Sequence, residues 1–478
     1  MKIAMIASEA NPLVKSGGLA DVTYSLSREL NKDNQEAVIV LPFYKRIKDK
    51  GLNPKYLGYF FIDMSWRHQY VGVFELRIDG IKYYLVDNEM YFNRDELYGY
   101  NDDNERFAYF ALASLEVLRY VNFKADIIHV HDWQAAIIPC LLKEKYNCDS
   151  FFSGVKTVLT IHNPAFKGYM DKYFLGNYFG LSDYIYDIGR VKFDEQVSTL
   201  KAGISYADKI TTVSPTHRNE LLDPSSEFRF NYDLELRKDD FSGVVNGIDV
   251  IEFNPETDTK IAKQYSKSAF IKAKAENKKV LLETLGLPNN FKGPVYGLVS
   301  RLTWQKGIDL VLQNVEHIIG NGGALAILGS GEKELEHSFQ SFRDRFPDRV
   351  GIYIGYNDAI AHKVYAGSDF FLMPSLFEPC GIGQLIAQRY GALPIVRVTG
   401  GLADTVIGYN DNNLDIANGF SFYDYNGFAF GGTIDHTIRV FKDKATYHKL
   451  VKNALSLDLS WKKSEKSYLE IYKEVVSR

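Results

Sequence analysis

Cysteine is scarce in this chain of 478 residues: there are three, Cys140, Cys148 and Cys380, far apart and odd in number. That excludes a disulfide framework and a cysteine-rich zinc site, and it suits a reducing compartment such as the cytoplasm. Long apolar runs are missing too. No stretch of about 18 apolar residues occurs, so no membrane-spanning helix is expected. The opening run from Met1 to Ser8 is too short for a signal peptide, and Glu9 interrupts it. Nor is there an excess of one charge: the formal net charge is −4, which gives no case for nucleic acid or an anionic membrane as partner. What the chain does have is an ordinary globular balance, 46% hydrophobic and 24% charged residues. Its length suits roughly two to four domains. Tyrosine and phenylalanine are plentiful, enough to fill a core and also to supply rings that stack on sugars.

The stretch Phe371 to Leu385 reads as strand, loop and helix. Phe370 to Met373 is apolar, Pro374 and Pro379 break the pattern, Gly381 permits a tight turn, and Leu385, Ile386 and Tyr390 resume at helical spacing. A glycine loop opening a helix presents unpaired N–H groups that suit a phosphate. Glu378 in that loop would repel a phosphate unless it serves another part of the ligand, such as sugar hydroxyls; otherwise it caps the helix. A similar strand–glycine–helix unit opens the chain: Lys2 to Ser8, then Lys15-Ser16-Gly17-Gly18-Leu19-Ala20-Asp21, then apolar residues at Leu19, Val22, Leu26 and Leu30. It is neither a dinucleotide fingerprint nor a Walker loop. Lys15 is either a counter-charge for a phosphate or an exposed loop lysine.

Further strands are expected at Ala37 to Phe43, at Val71 to Ile78 and Ile81 to Val86 joined by an Asp79-Gly80 hairpin turn, at Ala125 to Val130 and at Val155 to Ile161. Glu105 to Tyr120 reads as a helix. His129 and His131 share a strand face but lack a third ligand at a recognisable spacing, so hydrogen-bonded structure is favoured over a metal site. Asp132, Trp133 and His162 fall at strand ends, where parallel sheets bind ligands. His162 is either a capping or core histidine or a donor to a sugar hydroxyl. Near Asn246-Gly247 and Asn254-Pro255 the pattern breaks, and the lysine-rich run from Lys260 to Lys279 reads as a solvated helix face. A second series follows: strands at Pro294 to Ser300, Ala324 to Leu328, Val350 to Gly355, Asp369 to Met373 and Leu393 to Val398. The pentapeptide Gly-Gly-Leu-Ala-Asp occurs twice, at 17–21 and 400–404. The tail from Trp461 to Val476 reads as an amphipathic helix. Two alternating series imply an α/β chain of two doubly wound sheets with a cleft between them. Arg301 and Lys306, in a loop after a strand, offer a planar fork and a point charge to a departing diphosphate, or form a surface pair.

Taken in order, these motifs resemble the bacterial glycogen synthases and plant starch synthases. The resemblance rests on Lys15-Ser-Gly-Gly-Leu-Ala-Asp21, His131-Asp132-Trp133, Thr160-Ile-His162-Asn163, Lys201-Ala-Gly, Asn246-Gly-Ile-Asp249, Ser300-Arg301 to Lys306-Gly307, Phe377-Glu378-Pro-Cys-Gly381 and Thr399-Gly-Gly-Leu-Ala-Asp-Thr405. It implies a GT-B fold: Rossmann-like domains at 1–245 (acceptor side) and 246–460 (nucleotide-sugar side), and a helix at 461–478 returning to the first. It implies transfer of glucose from ADP-glucose to the non-reducing 4-OH of an α-1,4-glucan such as glycogen, with retention, no metal and no cofactor, in the cytoplasm. On this resemblance Glu378, His162, Asp132, Arg301 and Lys306 are catalytic. Lys15, Gly17, Gly18, Asp21, Asn246, Cys380, Gly381, Ile382, Thr399, Gly400 and Gly401 bind substrate. Four positions depart from the common pattern: Gln134, Leu376, Gly383 and Val398. Ile386 stands where another large GT-B group carries a second glutamate. The alternatives are a GT-B enzyme using UDP-glucose or another acceptor, and a non-catalytic glucan-binding protein.

Overall fold

Alternating apolar strands and helices arrange the chain as two units in a computed structural model, which describes residues 1–478. One unit comprises Met1–Asn246 with Trp461–Arg478, the other Gly247–Ser460.

The first unit is built on β1 (Lys2–Ile6), β2 (Glu36–Pro42), β3 (Lys55–Met64), β4 (Arg67–Ile78), β5 (Ile81–Asp87), β6 (Ile127–His131) and β7 (Lys156–Ile161). A small separate sheet, β8 (Tyr169–Met170), β9 (Lys192–Phe193) and β10 (Gln196–Ser198), interrupts the series before β11 (Lys209–Thr212) and β12 (Phe241–Gly243). The large sheet runs β12-β11-β7-β6-β1-β2-β5-β4-β3. It is parallel except at β5-β4 and β4-β3. Strands β1, β2, β6 and β7 are buried along nearly their whole length because both faces of a parallel sheet are covered. Asp79 and Gly80 both take positive φ in the turn between β4 and β5.

The sequence did not mark β3. Its outer face carries the exposed rings of Tyr56, Tyr59 and Phe61, and a bulge between Tyr56 and Gly58 shifts the register, so alternation is lost.

The C-terminal helix Trp461–Ser477 buries Trp461, Tyr468, Ile471, Tyr472 and Val475 in the core of this first unit. The Tyr472 hydroxyl lies 2.7 Å from His129 Nδ1, and Lys209 Nζ donates to both Glu474 oxygens at 3.1 Å.

The second unit holds β13 (Val295–Leu302), β14 (Ala324–Gly331), β15 (Val350–Ile354), β16 (Phe370–Met373), β17 (Leu393–Arg397) and β18 (Phe420–Phe422). All pairs are parallel, in the order β15-β14-β13-β16-β17-β18. That is the doubly wound order, whose direction of winding reverses between β13 and β16. The lysine-rich stretch is only partly a solvated face. The helix Phe270–Thr284 buries Lys274, whose Nζ donates to the carbonyls of Ala366 and Tyr390 at 3.0 Å.

Candidate active site

In the first unit the sheet reverses its winding between β1 and β6, and the polar loops after these strands meet there. The loop after β1 is shaped by Glu9, which is buried. Its carboxylate accepts the Ser16 and Gly17 backbone N–H groups, the Ser16 hydroxyl at 2.6 Å and the Tyr98 hydroxyl at 2.7 Å. Gly17 and Gly18 stand in open space at the start of the helix Gly18–Lys32, and no side chain caps that end. Backbone N–H groups there remain available to an anion. Lys15 Nζ lies 2.8 Å from Asp21, which also accepts from Asn11. Burial raises the Asp21 pKa, and the Lys15 ammonium opposes that shift.

The loop after β6 is turned by Asp132 itself, at φ +53°, a region that residues with a Cβ seldom occupy. Its carboxylate accepts the backbone N–H of His162 at 2.7 Å and of Asn163 at 3.2 Å. Asp132 therefore fixes the rim after β7 through the backbone. Burial pushes its pKa up to about 7, against the two N–H donors. His162 Nε2 lies 3.0 Å from His131 Nδ1, and the His131 ring stacks on His129 with centroids 4.3 Å apart. His129 is also held by Thr160 at 2.6 Å. Burial depresses the pKa of all three imidazoles, so they are neutral near pH 7 and His162 acts as a hydrogen-bonding group, not a cation. The ring nitrogens of His129 are engaged in hydrogen bonds, not set for a metal. Three buried polar atoms here have no protein partner: His131 Nε2, Gln134 Oε1 and Asn246 Oδ1. Unpaired buried polar atoms are costly unless a ligand or water meets them.

In the second unit the loops after β13 and β16, on either side of the reversal, are pressed together. Gly307 (φ +68°) would place a Cβ 2.0 Å from the Pro374 carbonyl, so only glycine allows this approach. The Leu376 N–H donates to the Gln305 carbonyl at 2.9 Å. These contacts bring Lys306 Nζ to 2.6 Å from Glu378 Oε2, which also accepts from Ser375 Oγ at 3.1 Å. The pair is mostly shielded, Lys306 being 18% and Glu378 8% exposed. The Arg301 side chain is exposed and makes no ion pair within its unit.

Glycines also support the Glu378 loop from below. The Gly401 N–H donates to the Glu378 and Pro379 carbonyls at 3.1 Å. A Cβ at Gly400 (φ +42°) would lie 2.0 Å from the Glu378 carbonyl, and one at Gly401 2.2 Å from the Cys380 carbonyl. Thr399 and Cys380 are buried in this packing, Gly381 turns at φ +73°, and Ile382 precedes the helix Gly383–Arg389.

The departures have visible accommodations. The space beside Gly383 is filled by the Met373 sulfur, 3.2 Å from where a Cβ would sit. At Leu376 the backbone carbonyl receives the Arg397 guanidinium, whose Nε donates to Ser375 O at 2.9 Å. Arg397 was not picked out in the sequence, although it adjoins Val398. Glu9 was missed as well; its signal was a carboxylate directly after an apolar strand.

One further cluster resembles a metal site. Ligand atoms of Glu252, Asp358 and His362 lie within 4.8 Å of one another. The Lys260 ammonium sits among them, 2.5 Å from Asp358 and 3.3 Å from His362 Nε2, and supplies the positive charge itself.

Two doubly wound units, each carrying its polar loops at the strand ends beside the winding reversal, define a glycosyltransferase of the GT-B class. Residues 2–236 match the family described as starch synthase catalytic domain, and residues 286–456 match glycosyl transferases group 1. The chain is 43% identical over 480 residues to a glycogen synthase from Clostridium botulinum, covering 100% of both chains. It is 43% identical over 482 residues to one from Bacillus cereus, again with full coverage of both. The catalytic domain of starch synthase IV from Arabidopsis thaliana, solved bound to ADP and acarbose, superposes with a TM-score of 0.93 at 30% identity, over 100% of this chain and 99% of that one. A glycosyltransferase from Rickettsia africae, at TM-score 0.59 and 16% identity, shares the fold. The chain belongs to the glycogen synthase family. No helix is long and apolar enough to cross a membrane.

Proposed function

We propose that this enzyme transfers glucose from ADP-glucose to the non-reducing 4-OH of an α-1,4-glucan, with retention at the anomeric carbon and without a metal ion. The observation that carries the reading is the shielded Lys306–Glu378 pair, joining the loops after β13 and β16 at the winding reversal of the second unit. In the second unit Arg301 and Lys306 neutralise the diphosphate, helped by the backbone N–H groups of Gly381 and Ile382; in the first unit Lys15 and the glycine loop at Gly17-Gly18 offer substrate a cation and the open helix start. Lys306 is shared between phosphate and Glu378, whose free oxygen accepts glucose hydroxyls and orients the donor. Cationic groups of this kind stabilise charge that grows on the leaving phosphate, so they act on the transition state more than on the bound donor.

The bond from the anomeric carbon to the phosphate oxygen breaks. The acceptor 4-oxygen forms its bond on the same face, and its proton passes to the departing phosphate, leaving ADP. Neutral His162 hydrogen-bonds a hydroxyl of the sugar, and Asp132 positions it through the backbone. Asn246 offers its unpaired amide oxygen to the sugar. The ADP held by the Arabidopsis starch synthase supports adenine nucleotide as donor. Three cysteines without a disulfide fit a cytoplasmic setting.

The test is incubation with labelled ADP-glucose and glycogen, with UDP-glucose in parallel and a chelator in one arm. Incorporation is expected from ADP-glucose and unaffected by chelation. Glu378→Ala and Lys306→Ala are each expected to lower turnover ~10²–10³-fold with the fold retained. Near-normal incorporation by both variants overturns the site, and preference for UDP-glucose overturns the donor.

A further inference from the structure

Away from the donor loops, the second unit contains a cavity of about 220 Å³ at the opposite end of its sheet. It is bounded by the helix Phe270–Thr284, by the segment leading into β13, and by Asp369 at the foot of β16. Its charge is lopsided. Lys274, Lys278, Lys279, Lys292 and Lys444 line it, with Asp369 as the one carboxylate among the lining residues. In a chain of net charge −4, such a concentration of ammonium groups is not the background composition.

Asp369 cannot balance them, because its oxygens are already used. Oδ2 accepts Lys278 Nζ at 2.7 Å and the Val295 N–H at 2.9 Å, and Oδ1 accepts the Tyr447 hydroxyl at 3.1 Å. Lys274 is buried with two backbone carbonyls as its hydrogen-bond acceptors and no carboxylate in contact. Its burial, together with the charge of Lys278, pulls its pKa down to about 7 despite the attraction of Asp369. Lys444 lies over the Phe441 ring, 3.3 Å from the centroid, and its pKa is lowered by burial and again by Lys278. Lys278 thus takes up Asp369, and Lys444 and the partly protonated Lys274 have no carboxylate in contact, which costs free energy that an arriving anion would return. Lysine ammoniums are point-charge donors suited to phosphate oxygens, and the Phe291 and Tyr447 rings give the cavity walls for the body of an ester.

We propose that this cavity is a binding site for a small phosphate-bearing molecule, separate from the donor site and independent of the function proposed above. Its phosphate is held by Lys278, Lys292 and Lys444, with Lys279 at the rim. The link to the rest of the unit is direct: Asp369 immediately precedes β16, the strand that leads into the Glu378 loop. Lys274 holds the Tyr390 carbonyl, just past the C-terminal end of the helix Gly383–Arg389.

The test titrates the full-length enzyme by calorimetry with inorganic phosphate and with ribose 5-phosphate, at constant ionic strength set with chloride. Lys279, Lys292 and Lys444 are exposed, so the variant Lys279→Gln/Lys292→Gln/Lys444→Gln is expected to fold. The single variant Lys292→Glu provides the same reading with less perturbation. Saturable binding is expected in the parent and in Arg301→Gln/Lys306→Gln, and at least tenfold weaker binding in both pocket variants. Tighter binding of the ester than of phosphate assigns the ligand to phosphate monoesters; equal binding assigns it to free phosphate. Absence of saturable binding in the parent, binding unchanged in the pocket variants, or binding abolished by the Arg301/Lys306 changes overturns the proposal.

Discussion

The same five residues, Gly-Gly-Leu-Ala-Asp, open a helix in each unit, and the two copies do opposite things. At 17–21 the glycines face open space, and a carboxylate, Glu9, shapes the loop by accepting its N–H groups. At 400–404 the glycines are packed against the Glu378–Cys380 backbone, and the carboxylate of that loop, Glu378, is left to pair with Lys306. In the first unit carboxylates are structural and glycines stand in open space; Asp132, bonded to the His162 and Asn163 backbone, follows the same rule. In the second unit glycines are structural and the carboxylate pairs with a lysine instead of backbone N–H groups. A repeated motif therefore fixes a turn and a helix start, not a role.

The sharpest way to break this comparison is to add one methyl to each copy. Gly401→Ala would drive a Cβ to 2.2 Å from the Cys380 carbonyl. The Glu378 loop must shift, so turnover is expected to fall ~10²-fold or more, with a stability loss of about 1–3 kcal/mol. Steady-state kinetics and thermal unfolding check both. Gly18→Ala meets nothing within 4 Å. Its stability is expected to hold or rise, by about 0.4–1 kcal/mol, while KM for the sugar nucleotide increases and the rate at saturation is kept. If the two variants behave alike, the division of labour is wrong.

The smallest effect sharpens the assignment of Asp132. Its folded pKa is raised from 3.8 to about 7. The stabilisation from its protonated form is therefore complete below pH 3.8 and is lost as pH rises through about 7. Asp132→Asn cannot ionise but keeps an oxygen for the His162 and Asn163 N–H groups. Its thermal midpoint is expected to gain on the parent as pH rises across that window. A difference that stays constant with pH would show that the carboxyl does not titrate there.

Much of this arrangement was legible in the residues. Runs such as Phe370 to Met373 and Val155 to Ile161 announce buried parallel strands, and the polar residue after each marks the rim where ligands bind. That logic singled out Arg301, Lys306, Glu378 and His162, and all four stand at or just beyond the C-terminal ends of parallel strands. It did not reveal which oxygen accepts which N–H, because those partners are distant in sequence. Asp132 read as facing sugar, and its carboxylate faces backbone 30 residues on. Glu9 read as a break in an apolar run, although it organises the first glycine loop. Lys274 read as one of many solvated lysines; helical spacing alone does not show that a neighbouring helix and a strand foot close over it. Strand β3 escaped because its exposed rings and its bulge erase the alternation that marks other strands.

The placement of the C-terminal helix sets the order of assembly. The His129 ring receives the Tyr472 hydroxyl from a segment 343 residues later. During synthesis, which releases N-terminal residues first, the opening half emerges early yet lacks one wall of its interior. The middle of the chain has everything it needs to condense before that. The unit whose residues emerge first thus waits for Trp461–Ser477, and its hydrophobic flank stays uncovered until that helix arrives.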